Sequence, residues 1–201
     1  MPLCHPWRPV AAWPLRRLSA VSHWLLDTDS LTRRLQSGGA EFSVQRRSQV
    51  WSFPTFSERS ALKLPQRQAA LIREVVLMAD ARPVVFARSV FPCTTLSGEL
   101  RWLRHLQNRS LGSILFTNPW LQRSPFEVAR LPGDTRLLPD DLQQQLPAWG
   151  RRSVFLINQR PLLVAEIFLE SFSPWCSSRS VQRSRRRWSG AQARSHCYAS
   201  T

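Results

Sequence analysis

Four apolar runs rich in β-branched residues constrain the fold of this chain most strongly. They are residues 69–78, 84–91, 153–157 and 162–169. A turn-like break, Ala79 to Pro83, separates the first two runs, and Asn158 to Pro161 separates the other two. Short breaks of this composition between strand-like runs predict two antiparallel hairpins.

Helical spacing appears between these strands. Trp24, Leu25, Leu31 and Leu35 recur at near-helical intervals, with Asp29-Ser30 as a predicted N-cap and Gly38-Gly39 as the end of the unit. Residues 41–51 alternate apolar and polar side chains like a half-buried strand, and residues 94–108 are typical of a capped helix. The pattern predicts a single α+β domain with an antiparallel sheet and flanking helices.

Three of the predicted strands each carry a charge among apolar neighbours: Arg73, Arg88 and Glu166. A buried carboxylate costs several kcal/mol unless it is paired, hydrogen-bonded or protonated. We therefore expect the three charges to share one interior polar pocket. Two other interpretations stay open, namely a structural ion network and charges on the outward face of each strand.

The two ends and one internal stretch lack such patterns. Residues 1–18 are predicted to form an irregular arm, residues 19–175 the folded domain and residues 176–201 a disordered basic tail. Residues 117–148 contain five prolines, and an irregular stretch of that length is typical of a functional loop such as a lid.

The net charge of +15 does not identify a partner. Residues 176–201 hold six arginines and no acid, and subtracting these six charges leaves +9 on residues 1–175. Such a basic body attracts nucleic acid, a membrane surface or a small dianionic substrate equally well. The scattered cysteines, and the absence of a signal-peptide core or a membrane-length apolar window, predict a cytoplasmic protein with reduced thiols.

Sequence motifs narrow the chemistry by their absence. The chain has no G-x-G-x-x-G, Walker, G-x-S-x-G or H-E-x-x-H motif, and its four histidines show no metal-ligand spacing. We therefore expect neither a metal nor a cofactor. The arginine and glutamate pocket remains, because arginine forks hold carboxylates and a partly buried glutamate hydrogen-bonds a hydroxyl or accepts a proton.

Seven short motifs in collinear order resemble the bacterial chorismate lyases, the small enzymes that open the ubiquinone pathway. They are Trp24-Leu-Leu-Asp-Thr-Asp-Ser-Leu-Thr-Arg-Arg34, Ile72-Arg-Glu-Val75, Ala87-Arg-Ser-Val-Phe-Pro92, Thr95-Leu-Ser-Gly98, Ser110-Leu-Gly112 with Leu115-Phe116, Trp149-Gly-Arg-Arg-Ser153, and Pro161-Leu-Leu163 with Glu166-Ile-Phe-Leu169. The resemblance implies a sheet of about six strands and a buried, cofactor-free site closed by helical flaps.

The resemblance also implies residue roles and a reaction. Arg73 would grip the ring carboxylate, Glu166 would face the ring hydroxyl, and Leu111 would line the cavity. Leu31 occupies a position where family members often carry Met, a volume-conserving change, and Arg88 would be a further anion contact. The implied reaction converts chorismate to 4-hydroxybenzoate and pyruvate in a monomeric enzyme.

Two departures and two alternatives accompany this interpretation. Leu131 to Leu146 form a longer Pro-rich insertion than is expected for the family, and residues 176–201 have no counterpart in it. One alternative is a non-catalytic binding domain of the same fold, as in the effector-sensing half of some transcription regulators. We expect a DNA-binding domain ahead of such a half, and the residues before Trp24 are too few for one. The other alternative is a basic nucleic-acid-binding protein, which steep salt dependence would reveal.

Overall fold

A computed structural model describes residues 6–14 and 22–172. The helices are α1 (Ser22–Leu25), α2 (Leu31–Ser37), α3 (Phe56–Leu62) and α4 (Leu111–Leu115), with 3₁₀ turns at Val10–Ala12, Gly98–His105 and Asp140–Leu142. The strands are β1 (Arg8–Pro9), β2 (Phe42–Ser52), β3 (Ala70–Ala79), β4 (Arg82–Pro92), β5 (Gln122–Arg123), β6 (Glu127–Leu131), β7 (Ala148–Ile157) and β8 (Arg160–Phe168). The predicted tail and three of the four cysteines lie outside the described residues. No helix in the described ranges has the length and apolar character that crossing a membrane requires.

All strands join one antiparallel sheet, which confirms the predicted α+β class. Its order is β1-β6-β7-β8-β4-β3-β2, and β5 pairs with β7. Six of the strands have five or more residues, in agreement with the expected number, whereas β1 and β5 have two residues each. The sheet therefore presents two broad faces for other elements to cover.

Both predicted hairpins are present, and each is closed by a two-residue turn. Asp80 and Ala81 have φ angles of 48° and 61°, and Asn158 and Gln159 have φ angles of 49° and 63°. Two consecutive positive φ angles are typical of type I′ turns, whose twist matches that of the flanking strands. The turns are tighter than the sequence breaks suggested, because Arg82 and Pro83 already belong to β4.

A β-bulge in the first hairpin determines which side chains share a face. Leu77 pairs with Val85 but Met78 pairs with Pro83, so Val84 has no pairing partner in β3. Pro83 has no N–H to give to a regular ladder, and a bulge next to it is consistent with that chemistry. One inserted residue moves every later side chain of β4 to the other face of the sheet.

The helices predicted near the start of the chain confirm the proposed caps. The Ser30 side chain accepts a hydrogen bond from the backbone N–H of Arg33 at the start of α2, and Gly38 caps its end. Leu100, Leu103 and Leu106 are buried as expected, but residues 98–105 form a 3₁₀ helix. Their spacing of three residues fits the three residues per turn of that helix.

The face of the sheet that carries Arg73 and Glu166 is called the front face here. It is covered by α1, α2, α4 and the 3₁₀ helix at Gly98–His105, whose leucines pack with strand residues such as Val75 and Phe155. The opposite, back face is covered by α3 and by the segment from Leu131 to Leu146. The polar site lies on the front face.

The Pro-rich insertion does not act as a lid, contrary to expectation. Its side chains Leu137, Leu138 and Leu142 pack with Phe86 and Ile167 in the apolar cluster of the back face. The back face offers apolar surface that the insertion can bury, and this burial explains its position. The elements that cover the front face are therefore the short helices.

Candidate active site

A cavity lies between the front face and the N-terminal ends of α2 and α4. Four of the five residues predicted for the site line it, namely Leu31, Arg73, Leu111 and Glu166. Leu31 and Leu111 are each the first residue of their helix and are 5% and 6% exposed. The fifth predicted residue, Arg88, does not line this cavity.

Arg73 is a buried cation without a carboxylate partner. Its side chain is 1% exposed, and Nη2 donates hydrogen bonds to the carbonyl oxygens of Gln107 at 2.9 Å and Arg109 at 2.8 Å. Its Nε has no hydrogen-bond partner in the structure. Burial, together with the charge of Arg46, lowers the pKa of Arg73 to about 10. A buried guanidinium with a free donor is the arrangement that an anionic ligand would complete.

Glu166 finds its partner in Arg151. Arg151 Nε donates to Glu166 Oε2 at 2.6 Å, and its Nη1 donates to the carbonyl oxygens of Trp24 and Asp27, both at 2.9 Å. Arg151 is 2% exposed, so the ion pair lies almost entirely out of water. Within the described part of the chain, Glu166 Oε1 accepts no hydrogen bond and is free to meet a ligand.

Arg88 lies on the back face and belongs to a separate ion network. It donates from Nε to Glu58 Oε1 at 2.7 Å and from Nη1 to Glu74 Oε1 at 2.5 Å. The bulge is the cause, because it places Arg88 opposite Glu74 and Arg73 opposite Ser89. The expectation that one pocket holds Arg73, Arg88 and Glu166 is therefore wrong for Arg88.

The Arg88 network has a pH signature. Burial would raise the pKa of Glu58, but the hydrogen bonds and charge of Arg88, together with the hydrogen bond from Thr55, lower it below its ordinary value. A carboxylate with a depressed folded-state pKa stabilises the fold above its unfolded pKa of about 4.3. This stabilisation is lost as the pH falls through the folded-state pKa.

We expect Arg88→Met to destabilise the protein by roughly 2–3 kcal/mol, because Glu58 and Glu74 lose their cation. The value is lower than for a fully buried pair because the Arg88 side chain is 22% exposed. Urea denaturation at pH 7 and pH 4 measures the change, and the variant should lose less stability than the wild type on acidification. The affinity of the front cavity for a ligand should not change. Weaker ligand binding without a loss of stability would return Arg88 to the site.

Arg123 is a cavity residue that the sequence analysis missed. It lies in β5, within the Pro-rich stretch where no apolar run marked it, and its side chain reaches the cavity wall. Burial and the neighbouring charge of Arg151 lower its pKa to about 10, although Glu166 and Asp27 act in the opposite direction. Arg151 was also missed as a site residue, although its motif was recognised.

Helices α2 and α4 meet above the cavity. The hydroxyl groups of Thr32 and Ser110 share a hydrogen bond of 2.6 Å that joins segments 78 residues apart in sequence. Ser30 and Ser110 also cap the two helices, so each helix begins at the cavity wall. This arrangement separates the cavity from bulk water and strengthens electrostatic interactions inside it.

These features define a small antiparallel α+β domain with an internal, arginine-lined cavity. The sequence model of the chorismate lyase family matches residues 10–179. The chain belongs to the chorismate lyase family.

Individual relatives agree with this assignment. A protein of Alcanivorax borkumensis is 44% identical over 168 residues, which cover 82% of this chain and 77% of that protein. A protein of Methylococcus capsulatus is 45% identical over 153 residues, which cover 74% and 94%. Both are named "Probable chorismate pyruvate-lyase".

A solved structure supports the fold alone. The effector domain of PhnF from Mycobacterium smegmatis is similar with a TM-score of 0.52 and 14% sequence identity. The similarity covers 72% of this chain and 91% of that domain. At this identity the likeness says nothing about what the cavity binds.

Proposed function

We propose that the protein converts chorismate to 4-hydroxybenzoate and pyruvate. The observation that carries this proposal is the buried Arg73, which has no carboxylate partner and faces the same cavity as the Arg151-held carboxylate of Glu166. These two strands, β3 and β8, are separated by β4, which places them about 9.6 Å apart across the sheet. A ring with a carboxylate at one end and a hydroxyl at the other fits between such groups.

The reaction needs positioning more than it needs a strong reagent. The C4–H bond and the bond from C3 to the ether oxygen break, and the C4–H electron pair completes the aromatic ring. The ether electron pair leaves with the enolpyruvyl group, and its CH₂ carbon gains a hydrogen to give pyruvate. Atoms and charge balance without an added reactant, so we propose a cofactor-independent lyase. Fixed positive charge, orientation and exclusion of water are what the cavity supplies.

Two routes for the hydrogen are compatible with the site. In the first, Glu166 accepts the C4 proton, and the leaving enolpyruvate is protonated in a second event. In the second, Glu166 orients the C4 hydroxyl while the enolpyruvyl CH₂ takes the hydrogen within the substrate. Arg151 holds the carboxylate at 2.6 Å in both routes, so Glu166 stays in one orientation.

Purified protein mixed with chorismate, in buffer containing a chelator and no nucleotide, should release 4-hydroxybenzoate and pyruvate in equal amounts. Both products are followed together, and chorismate without protein gives the spontaneous rate. Absence of turnover in folded protein that still binds 4-hydroxybenzoate would indicate a non-catalytic binding domain. Absence of both would indicate that the charges are only structural.

We further propose that the chain acts as a cytoplasmic monomer in the first step of ubiquinone biosynthesis. The support for a monomer is that a single chain builds all the described walls of the cavity. Light scattering at assay concentrations tests the oligomeric state. Activity that appears only in a dimer fraction would contradict the monomer.

A further inference from the structure

Arg123 is a second buried cation in the cavity that has no ion-pair partner. Its Nε donates to Ser153 Oγ at 3.1 Å and its Nη1 donates to the Thr28 carbonyl oxygen at 3.2 Å. Among residues 6–14 and 22–172, no group accepts a hydrogen bond from its Nη2, and no carboxylate forms a salt bridge with it. One edge of this guanidinium is therefore available to a ligand.

Aromatic rings hold this guanidinium in place. The Cζ atom of Arg123 lies 3.9 Å from the ring centre of Phe126 and 4.8 Å from that of Phe155. Cζ of Arg151 lies 5.0 Å from the same Phe126 ring. The negative faces of aromatic rings attract cations, and they offset part of the repulsion between two neighbouring arginines. The side chain is thus fixed before any ligand arrives, which lowers the entropic cost of binding.

The charges of the cavity do not balance. Three buried or half-buried arginines, Arg73, Arg123 and Arg151, face one interior carboxylate, Glu166. Glu166 neutralises Arg151 directly, whereas Asp29 stands exposed at the rim. Two positive charges remain, one on each side of Glu166 in the order of the sheet. This arrangement is complementary to a dianion better than to a monoanion.

The surface beside Arg123 offers space for a side arm of the ligand. Arg123 and Phe116 border both the cavity and an open groove, whose other walls include Leu121, Pro125 and Phe126. A substituent that leaves the ring near Glu166 would therefore meet the free edge of Arg123 and point towards this groove.

We propose that Arg123 binds the second carboxylate of the substrate, the one on the enolpyruvyl arm. This inference rests on the proposed function. In chorismate the arm is attached to the ring carbon next to the one that carries the hydroxyl, so its carboxylate lies at the Glu166 end of the cavity. Arg73 then binds the carboxylate that both substrate and product carry, whereas Arg123 binds the carboxylate that leaves with pyruvate. Arg123 accordingly distinguishes the dianionic substrate from the monoanionic product.

Arg123→Gln separates these two carboxylates experimentally. A charge-assisted contact that is lost should reduce kcat/KM for chorismate by about 10- to 100-fold. The Kd of 4-hydroxybenzoate, measured by calorimetry, should change by less than about 2-fold, because the product has no enolpyruvyl arm. Arg123→Lys keeps the charge but not the planar fork, so it should recover part of the loss. Arg101→Gln, at an exposed position outside the cavity lining, controls for the change in net charge.

Each outcome decides between clear alternatives. An unchanged kcat/KM in Arg123→Gln overturns the inference but leaves the proposed lyase intact. A parallel loss of 4-hydroxybenzoate affinity also overturns it, because Arg123 would then shape the whole cavity. Equal losses in Arg123→Gln and Arg101→Gln would reduce the effect to general attraction of an anion by a basic protein. A wild type that never converts chorismate overturns both this inference and the proposed function.

Discussion

Arg73→Met is expected to lower kcat/KM for chorismate by at least about 100-fold and to weaken binding of 4-hydroxybenzoate by a similar factor. The substitution keeps most of the side-chain volume but removes the charge and the free Nε donor that face the cavity. A ligand carboxylate would then be buried without a cation, which costs more than the lost hydrogen bonds alone. Steady-state kinetics and calorimetry measure the two effects, and Arg101→Met controls for net charge.

The stability of the same variant should change in the opposite sense to its activity. Arg73 has no carboxylate partner, so its removal leaves no buried charge unpaired; the carbonyl groups of Gln107 and Arg109 lose one donor each. The cost of burying the guanidinium disappears at the same time. We therefore expect stability within about 1 kcal/mol of the wild type, a trade-off typical of residues kept for function. Near-normal kinetics in a folded variant would remove Arg73 from the site.

Much of this architecture follows from local patterns in the sequence. Apolar runs with short breaks predicted both hairpins, and the isolated charges Arg73 and Glu166 pointed to an interior polar site. The failure at Arg88 has a specific cause. A regular hairpin closed at Asp80-Ala81 would set Arg88 directly opposite Arg73, and only the bulge at Val84 changes the pairing. A one-residue insertion leaves no periodic signal, because both faces of β4 are apolar.

The two missed arginines show a different limit. Arg151 stands beside Arg152, and the sequence alone does not decide which of the two faces the front cavity. The structure places Arg151 against Glu166 and directs the Arg152 side chain to Glu127 and Ser57 on the back face. Arg123 lies in a two-residue strand whose position depends on pairing with β7. Long-range pairing of this kind is set by packing and not by local propensity.

Arg151→Met should be the most destabilising of the substitutions considered. It leaves the Glu166 carboxylate buried without its cation and removes the donor for the carbonyl groups of Trp24 and Asp27. Breaking a buried pair in this way costs about 3–5 kcal/mol, which corresponds to a fall in Tm of roughly 10 °C for a chain of this size. Urea and thermal denaturation measure the loss, with Arg101→Met as the control. A loss below about 1 kcal/mol would show that the pair contributes little to the fold.

The Glu166→Gln variant and the double variant Arg151→Met/Glu166→Gln complete a cycle that separates the structural role of the pair from its chemical role. The double variant has no unpaired charge, so its stability loss should be smaller than the sum of the single losses by roughly 1–3 kcal/mol. Additive losses would contradict direct coupling. In Glu166→Gln alone, an amide can still hydrogen-bond the ring hydroxyl but cannot accept a proton. If 4-hydroxybenzoate affinity persists while kcat falls by about 100-fold or more, Glu166 acts as the proton acceptor. If both persist, the hydrogen moves within the substrate and Glu166 orients the hydroxyl.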